Sequence, residues 1–116
     1  MHNKKTSVVM YGCVESSKTA LLTLNKIDNL NVKFLITSKR NSFNHDHVNL
    51  EEFVKPETII LYTEEKSDQE LSDIIGNSDV DIGFCVGWSK IIPKSIYSKC
   101  KLFFVGSQLT ASFLYL

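Results

Sequence analysis

Five short apolar runs, at residues 7–11, 32–37, 58–62, 82–86 and 102–105, constrain the fold of this 116-residue chain more than any other feature. None of them alternates cleanly between apolar and polar side chains. A strand wetted on one face alternates; a continuous apolar strand belongs to a sheet covered on both faces, which favours parallel pairing between layers of helix.

Helical patterns fill the intervals. Ala20, Leu21, Leu24 and Ile27 form one stripe, entered through Ser16-Ser17 and left through Asp28-Asn29. Ser67-Asp68-Gln69-Glu70 has capping-box spacing, in which hydroxyl and carboxylate each satisfy an orphan amide. Leu71, Ile74 and Ile75 then make a buried face, and Gly76 is placed to end that helix in a left-handed turn. Pro93 suits the first turn of a short third helix reaching about Ser98. The alternation predicts one α/β domain over residues 1–116: a Rossmann-like, three-layer open sheet, mostly parallel, of about five strands.

Composition narrows the function. Thirteen basic residues balance thirteen acidic ones, so the chain has no electrostatic footprint for nucleic acid or anionic lipid. No apolar run approaches the roughly 20 residues that span a bilayer. The N-terminus offers no signal-peptide pattern, which points to the cytoplasm. Cys13, Cys85 and Cys100 are odd in number and unclustered, and read as reduced packing residues.

Most candidate chemistry has a plainer reading. The first strand leads into Tyr11-Gly12-Cys13-Val14-Glu15, with one glycine where a dinucleotide fingerprint needs three. His45 and His47 flank Asp46 in a polar loop, but two histidines at that spacing do not make a metal site. Glu64-Glu65 reads as a charged approach to a helix rather than a catalytic pair. Two segments are more informative. The fourth strand runs into Gly87-Trp88-Ser89-Lys90-Ile91-Ile92-Pro93, and the fifth ends in Val105-Gly106-Ser107-Gln108-Leu109-Thr110. Glycines at two successive strand ends describe a crevice. The long polar stretch at 38–55 follows the second strand's carboxyl end, where open sheets carry ligand loops.

Together with Met10-Tyr11-Gly12, these two segments resemble the N-terminal half of the folate-dependent formyltransferases, the family of methionyl-tRNA and glycinamide-ribonucleotide formyltransferases. Ser42-Phe43-Asn44-His45-Asp46 and Gly87-Trp88-Ser89 are most similar to the branch that formylates amino sugars linked to nucleotides. The resemblance reaches about Thr110 and implies transfer of a formyl group from 10-formyltetrahydrofolate to an amine. It implies that the pterin lies along Ser89, Lys90, Ile91 and Ile92, with the nucleotide-sugar ligand near Phe43 and Asn44.

The family's catalytic Asn-x-His step aligns with Gly106-Ser107-Gln108. Glycine donates nothing, and a glutamine cannot become cationic or exchange a proton near neutral pH. No counterpart of the family's later aspartate follows, and the last six residues are uncharged. The expectation is therefore a truncated relative that lacks catalysis. Two alternatives stay open: a binding module completed by a partner chain, or an unrelated flavodoxin-like domain. An early end would also expose a sheet edge suited to self-association.

Overall fold

The computed structural model describes residues 5–39, 47–88 and 90–106. Their order is β1 (Thr6–Tyr11), α1 (Glu15–Asn25), β2 (Leu30–Thr37), a 3-10 turn at Glu51–Phe53, β3 (Ile59–Tyr62), α2 (Asp68–Gly76), β4 (Ile82–Val86), α3 (Lys94–Tyr97) and β5 (Leu102–Gly106). The five strands form one sheet in the order β3-β2-β1-β4-β5, and every neighbouring pair is parallel. This is the Rossmann order 3-2-1-4-5, distinct from the flavodoxin order 2-1-3-4-5.

Apolar residues cover both faces of the sheet. Val8, Met10, Val32, Leu35, Phe84 and Val86 pack against Ala20, Leu21 and Leu24 of α1. On the other face Val9, Tyr11, Phe34, Ile36 and Cys85 meet Leu71 and Ile75 of α2 and Ile96 of α3. A fully covered sheet is why the strands read as mostly apolar runs without polar alternation. The one charge inside them, Lys33, falls at a register shift between β1 and β2, and its ammonium donates to the Ser78 carbonyl at 3.0 Å.

Two helix ends differ from expectation. Gly76 is the last residue of α2, and the left-handed position lies further on, at Asp79 with φ 52°. The amide of Asn77 donates to the Asp73 carbonyl at 3.0 Å and the Ser78 hydroxyl to that of Ile74 at 2.6 Å. With those carbonyls satisfied, the chain has no need to reverse at the glycine. Pro93 is the extended residue flanking α3 rather than part of its first turn (φ −61°, ψ 142°). Ser67 and Glu70 do form the capping box. No helix among the described residues is long and apolar enough to cross a membrane.

Candidate functional site

With this strand order, the reversal of winding falls between β1 and β4, and a crevice is expected outside their carboxyl ends. Here that point is closed. Ser17, with no exposed surface, accepts hydrogen bonds from the amides of Cys13 (3.1 Å) and Val14 (3.2 Å) and donates to the Val86 carbonyl at 2.5 Å. One hydroxyl thus joins the β1–α1 loop to the end of β4. The glycines permit the approach. A Cβ on Gly12 would lie 2.4 Å from Ser17 Oγ, and one on Gly87 would lie 2.2 Å from a Val14 methyl. Gly87 also has φ +68°, a conformation that L side chains rarely adopt. The loop is further covered by a bridge from Val14 to His47 and by the Val48 amide, 2.7 Å from the Cys13 carbonyl. Two amides that could face a phosphate are already engaged, and Glu15 adds negative charge to the helix start.

The opening lies one strand over. A groove of 370 Å³ is bounded by the ends of β4 and β5 and the segment leading into α3. Cys85 contributes to its base, Trp88, Tyr97 and Phe103 supply aromatic surface, and Lys90, Ile91, Ile92 and Val105 complete the lining. Burial pushes the Cys85 thiol up to about 11, so the base is uncharged at neutral pH. The Trp88 ring meets Tyr11 edge-to-face at 5.5 Å. Burial also holds the Tyr11 phenol well above its ordinary range, and its hydroxyl has no hydrogen-bond partner among the described residues. Phe103 occupies the space over Gly83, where a Cβ would lie 2.2 Å from the ring. The groove is apolar and aromatic, with one cationic side chain in its lining. Such a surface suits a flat heterocycle with polar edges.

The sequence-predicted residues divide accordingly. Lys90, Ile91 and Ile92 come together at the groove; Ile91 is 94% exposed, whereas Ile92 is buried. Gly106 is paired with Val86 at the end of β5. Ser89, Phe43, Asn44, His45, Asp46 and Gln108 lie outside the described residues. The His47 ring nitrogen is 2.6 Å from the Ser38 carbonyl oxygen. No group of three or more His, Cys, Asp or Glu side chains able to hold a metal occurs among the described residues. Glu64 and Glu65 bind the chain leaving β2: Glu64 accepts from the Ser38 hydroxyl at 2.5 Å and the Lys39 amide at 3.1 Å, and Glu65 pairs with the Lys39 ammonium at 2.5 Å.

Sequence reasoning missed Ser17, Tyr97 and Phe103. Phe103 was within reach, because period-two alternation puts it on the same face as Val105. Ser17 was not, since the partner that gives it its role, the Val86 carbonyl, lies 69 positions away at the end of another strand, and the other two belong to its own loop. No protein-family model, no curated protein and no solved structure matches the chain.

Proposed function

We propose that this chain binds a reduced folate, 10-formyltetrahydrofolate, with the pterin ring in the groove between β4 and β5, and that it does not transfer the formyl group by itself. The observation that carries the reading is the convergence of Lys90, Ile91 and Ile92, the stretch that the formyltransferase resemblance assigns to the pterin, with Trp88, Tyr97 and Phe103 on one cavity. The aromatic rings and isoleucines would cover the faces of a planar heterocycle. The backbone between them would offer donors and acceptors to its edge. A nucleotide-linked amino sugar is the acceptor that the resemblance favours, through Phe43 and Asn44.

Formyl transfer needs a donor to the tetrahedral oxyanion and a group that moves the amine proton. Gly106 stands where the family places the first of its catalytic side chains, and it has none. One missing oxyanion donor costs about 3–4 kcal/mol, a hundredfold to a thousandfold in rate. What the chain's own residues can do is bind and orient the carrier.

Trp88 is the only tryptophan and lines the groove, so its emission reports occupancy directly. Titration with 5-formyltetrahydrofolate, a stable analogue, is expected to give a saturable change that 10-formyltetrahydrofolate competes away. Ile91→Asp, at a highly exposed lining position, should weaken binding at least tenfold without unfolding the chain. A flat titration to millimolar ligand would remove the reading. Measurable formyl transfer to a thymidine-linked amino sugar by the isolated chain would overturn its second half.

A further inference from the structure

One buried polar group on the groove's face of the sheet is left without a use. Tyr11 is 2% exposed, and its hydroxyl has no hydrogen-bond partner among the described residues. The other buried side-chain atoms in the same state belong to Asn25 on α1, which covers the opposite face, and to Thr37 on β2, two strands from β4. Tyr11 is next to the groove. It is the register partner of Cys85, which forms part of the groove's base, and both are buried on the same face. Adjacent strands lie about 5 Å apart, so the floor of the groove continues from Cys85 to Tyr11. What closes it at this end is Trp88, which lines the groove, meets Tyr11 edge-to-face and is only half-buried. A phenylalanine would fill the same space as Tyr11 without the orphan oxygen, and a buried hydroxyl with no partner lowers stability. Groups that weaken the free fold cluster at binding sites, where a ligand supplies the missing partner.

We infer that Tyr11 determines which heterocycle the groove accepts: the Trp88 ring turns aside, the groove extends over Cys85 to β1, and the phenol hydroxyl hydrogen-bonds to the ligand's polar edge. Burial, and after it the Asp68 carboxylate at the start of α2, hold the phenol's pKa above its ordinary range, so the group stays protonated and both donates and accepts. The neighbouring Cys85 thiol is protonated too and adds no charge. A neutral hydroxyl on an apolar floor suits an uncharged lactam edge, where a carbonyl and an N–H lie side by side. It does not suit a phosphate or a carboxylate, whose charge would be buried unpaired. The pyrimidinone ring of a reduced folate has a lactam edge. The choice of ligand thus rests on the folate reading, whereas the role of the hydroxyl does not.

Tyr11→Phe tests this with two lactams, 5-formyltetrahydrofolate and quinazolin-4-one, the second a bare bicycle without the folate tail. Trp88 is the only tryptophan, so its indole N–H gives a single signal in a proton–nitrogen correlation spectrum. Both lactams should shift that signal at up to millimolar concentration. In Tyr11→Phe their dissociation constants should rise roughly fivefold to tenfold, while the thermal midpoint measured without ligand stays level or rises. Equal affinities in the two proteins overturn the inference and leave the folate reading standing. Quinazolin-4-one bound in a tyrosine-dependent way, with no shift from 5-formyltetrahydrofolate, removes folate as the ligand and supports the role of Tyr11. No shift from either lactam removes both. A lowered midpoint in Tyr11→Phe would show that the hydroxyl serves the free fold, and overturns the inference whatever the titrations give.

Discussion

Replacing Ser17 with alanine should be among the most costly single changes at the surface-facing end of the sheet, although it removes one oxygen atom. The hydroxyl uses its full capacity: two acceptor positions for the Cys13 and Val14 amides and its one proton for Val86. In Ser17→Ala all three backbone groups lose a partner at a position with no exposed surface. Each buried orphan costs about 1–3 kcal/mol, and partial relaxation makes the three less than additive, giving about 3 kcal/mol in total. Ser72→Ala is the matched control. Ser72 is also buried, but it makes one bond, to the Ser95 carbonyl at 2.9 Å, so about 1 kcal/mol is expected. In urea, with a slope of about 1.5 kcal/mol/M, the midpoint should fall by about 2 M for Ser17→Ala and by less than 1 M for the control. Trp88 emission and far-ultraviolet circular dichroism should report the same transition. Equal midpoints for the two variants would refute the claim that this hydroxyl holds the two strand ends together.

Two glycine substitutions should have opposite signs. Gly87→Ala places a methyl 2.2 Å from Val14 at φ +68° and should cost about 3 kcal/mol. Gly76→Ala ends α2 with a better helix former, and its nearest neighbour is the flexible Lys99 side chain at 3.2 Å, so a gain of about 0.5 kcal/mol is expected; thermal unfolding reads both. Asp81 accepts from the Ser7 amide at 2.9 Å and from the Lys101 ammonium at 3.0 Å, which hold its carboxyl down to about 2. Its folded value lies below the unfolded one, so its stabilisation is complete above about pH 4 and is lost as pH falls through about 2. With solvent screening it amounts to about 1 kcal/mol, and Asp81→Asn should remove that part of the acid dependence from stability measured against pH. Cys85, with its thiol at about 11, should alkylate with iodoacetamide at pH 8 at least a hundredfold more slowly in the folded chain than in urea, by mass spectrometry.

The fold was legible because its signal is local and repeated. Each strand, four to eight residues long, is mostly apolar, and each longer helix has an apolar stripe. The β3-β2-β1-β4-β5 order was less legible, since periodicity says that strands are parallel but not which ones are neighbours. Part of the groove lining was legible: the segment holding Ile91 and Ile92 stood out by its glycine and tryptophan at a strand end, and the formyltransferase resemblance picked out the two isoleucines, while Tyr97 needed the orientation of a four-residue helix. Gly12 shows the limit most clearly. Its solitude marks an incomplete fingerprint in the sequence, but only the 2.4 Å approach to Ser17 shows what the glycine accommodates.

That approach also explains where the opening lies. An α/β sheet of this order usually leaves room between the first and fourth strands, because the crossovers leave in opposite directions and their loops separate. Here the room is filled: Ser17 spans the gap, Val14 packs at Gly87, and the 47–48 segment lies across Cys13. Among the described residues that line the next gap, between β4 and β5, the one side-chain hydroxyl is that of Tyr97 on α3. Its connection begins at Gly87, turns through a positive φ and brings Trp88 and Ile91 to the groove. The same glycine therefore closes the polar crevice and opens the apolar one. The groove that remains is lined by apolar and aromatic side chains, whereas the loop amides at the start of α1 are already engaged.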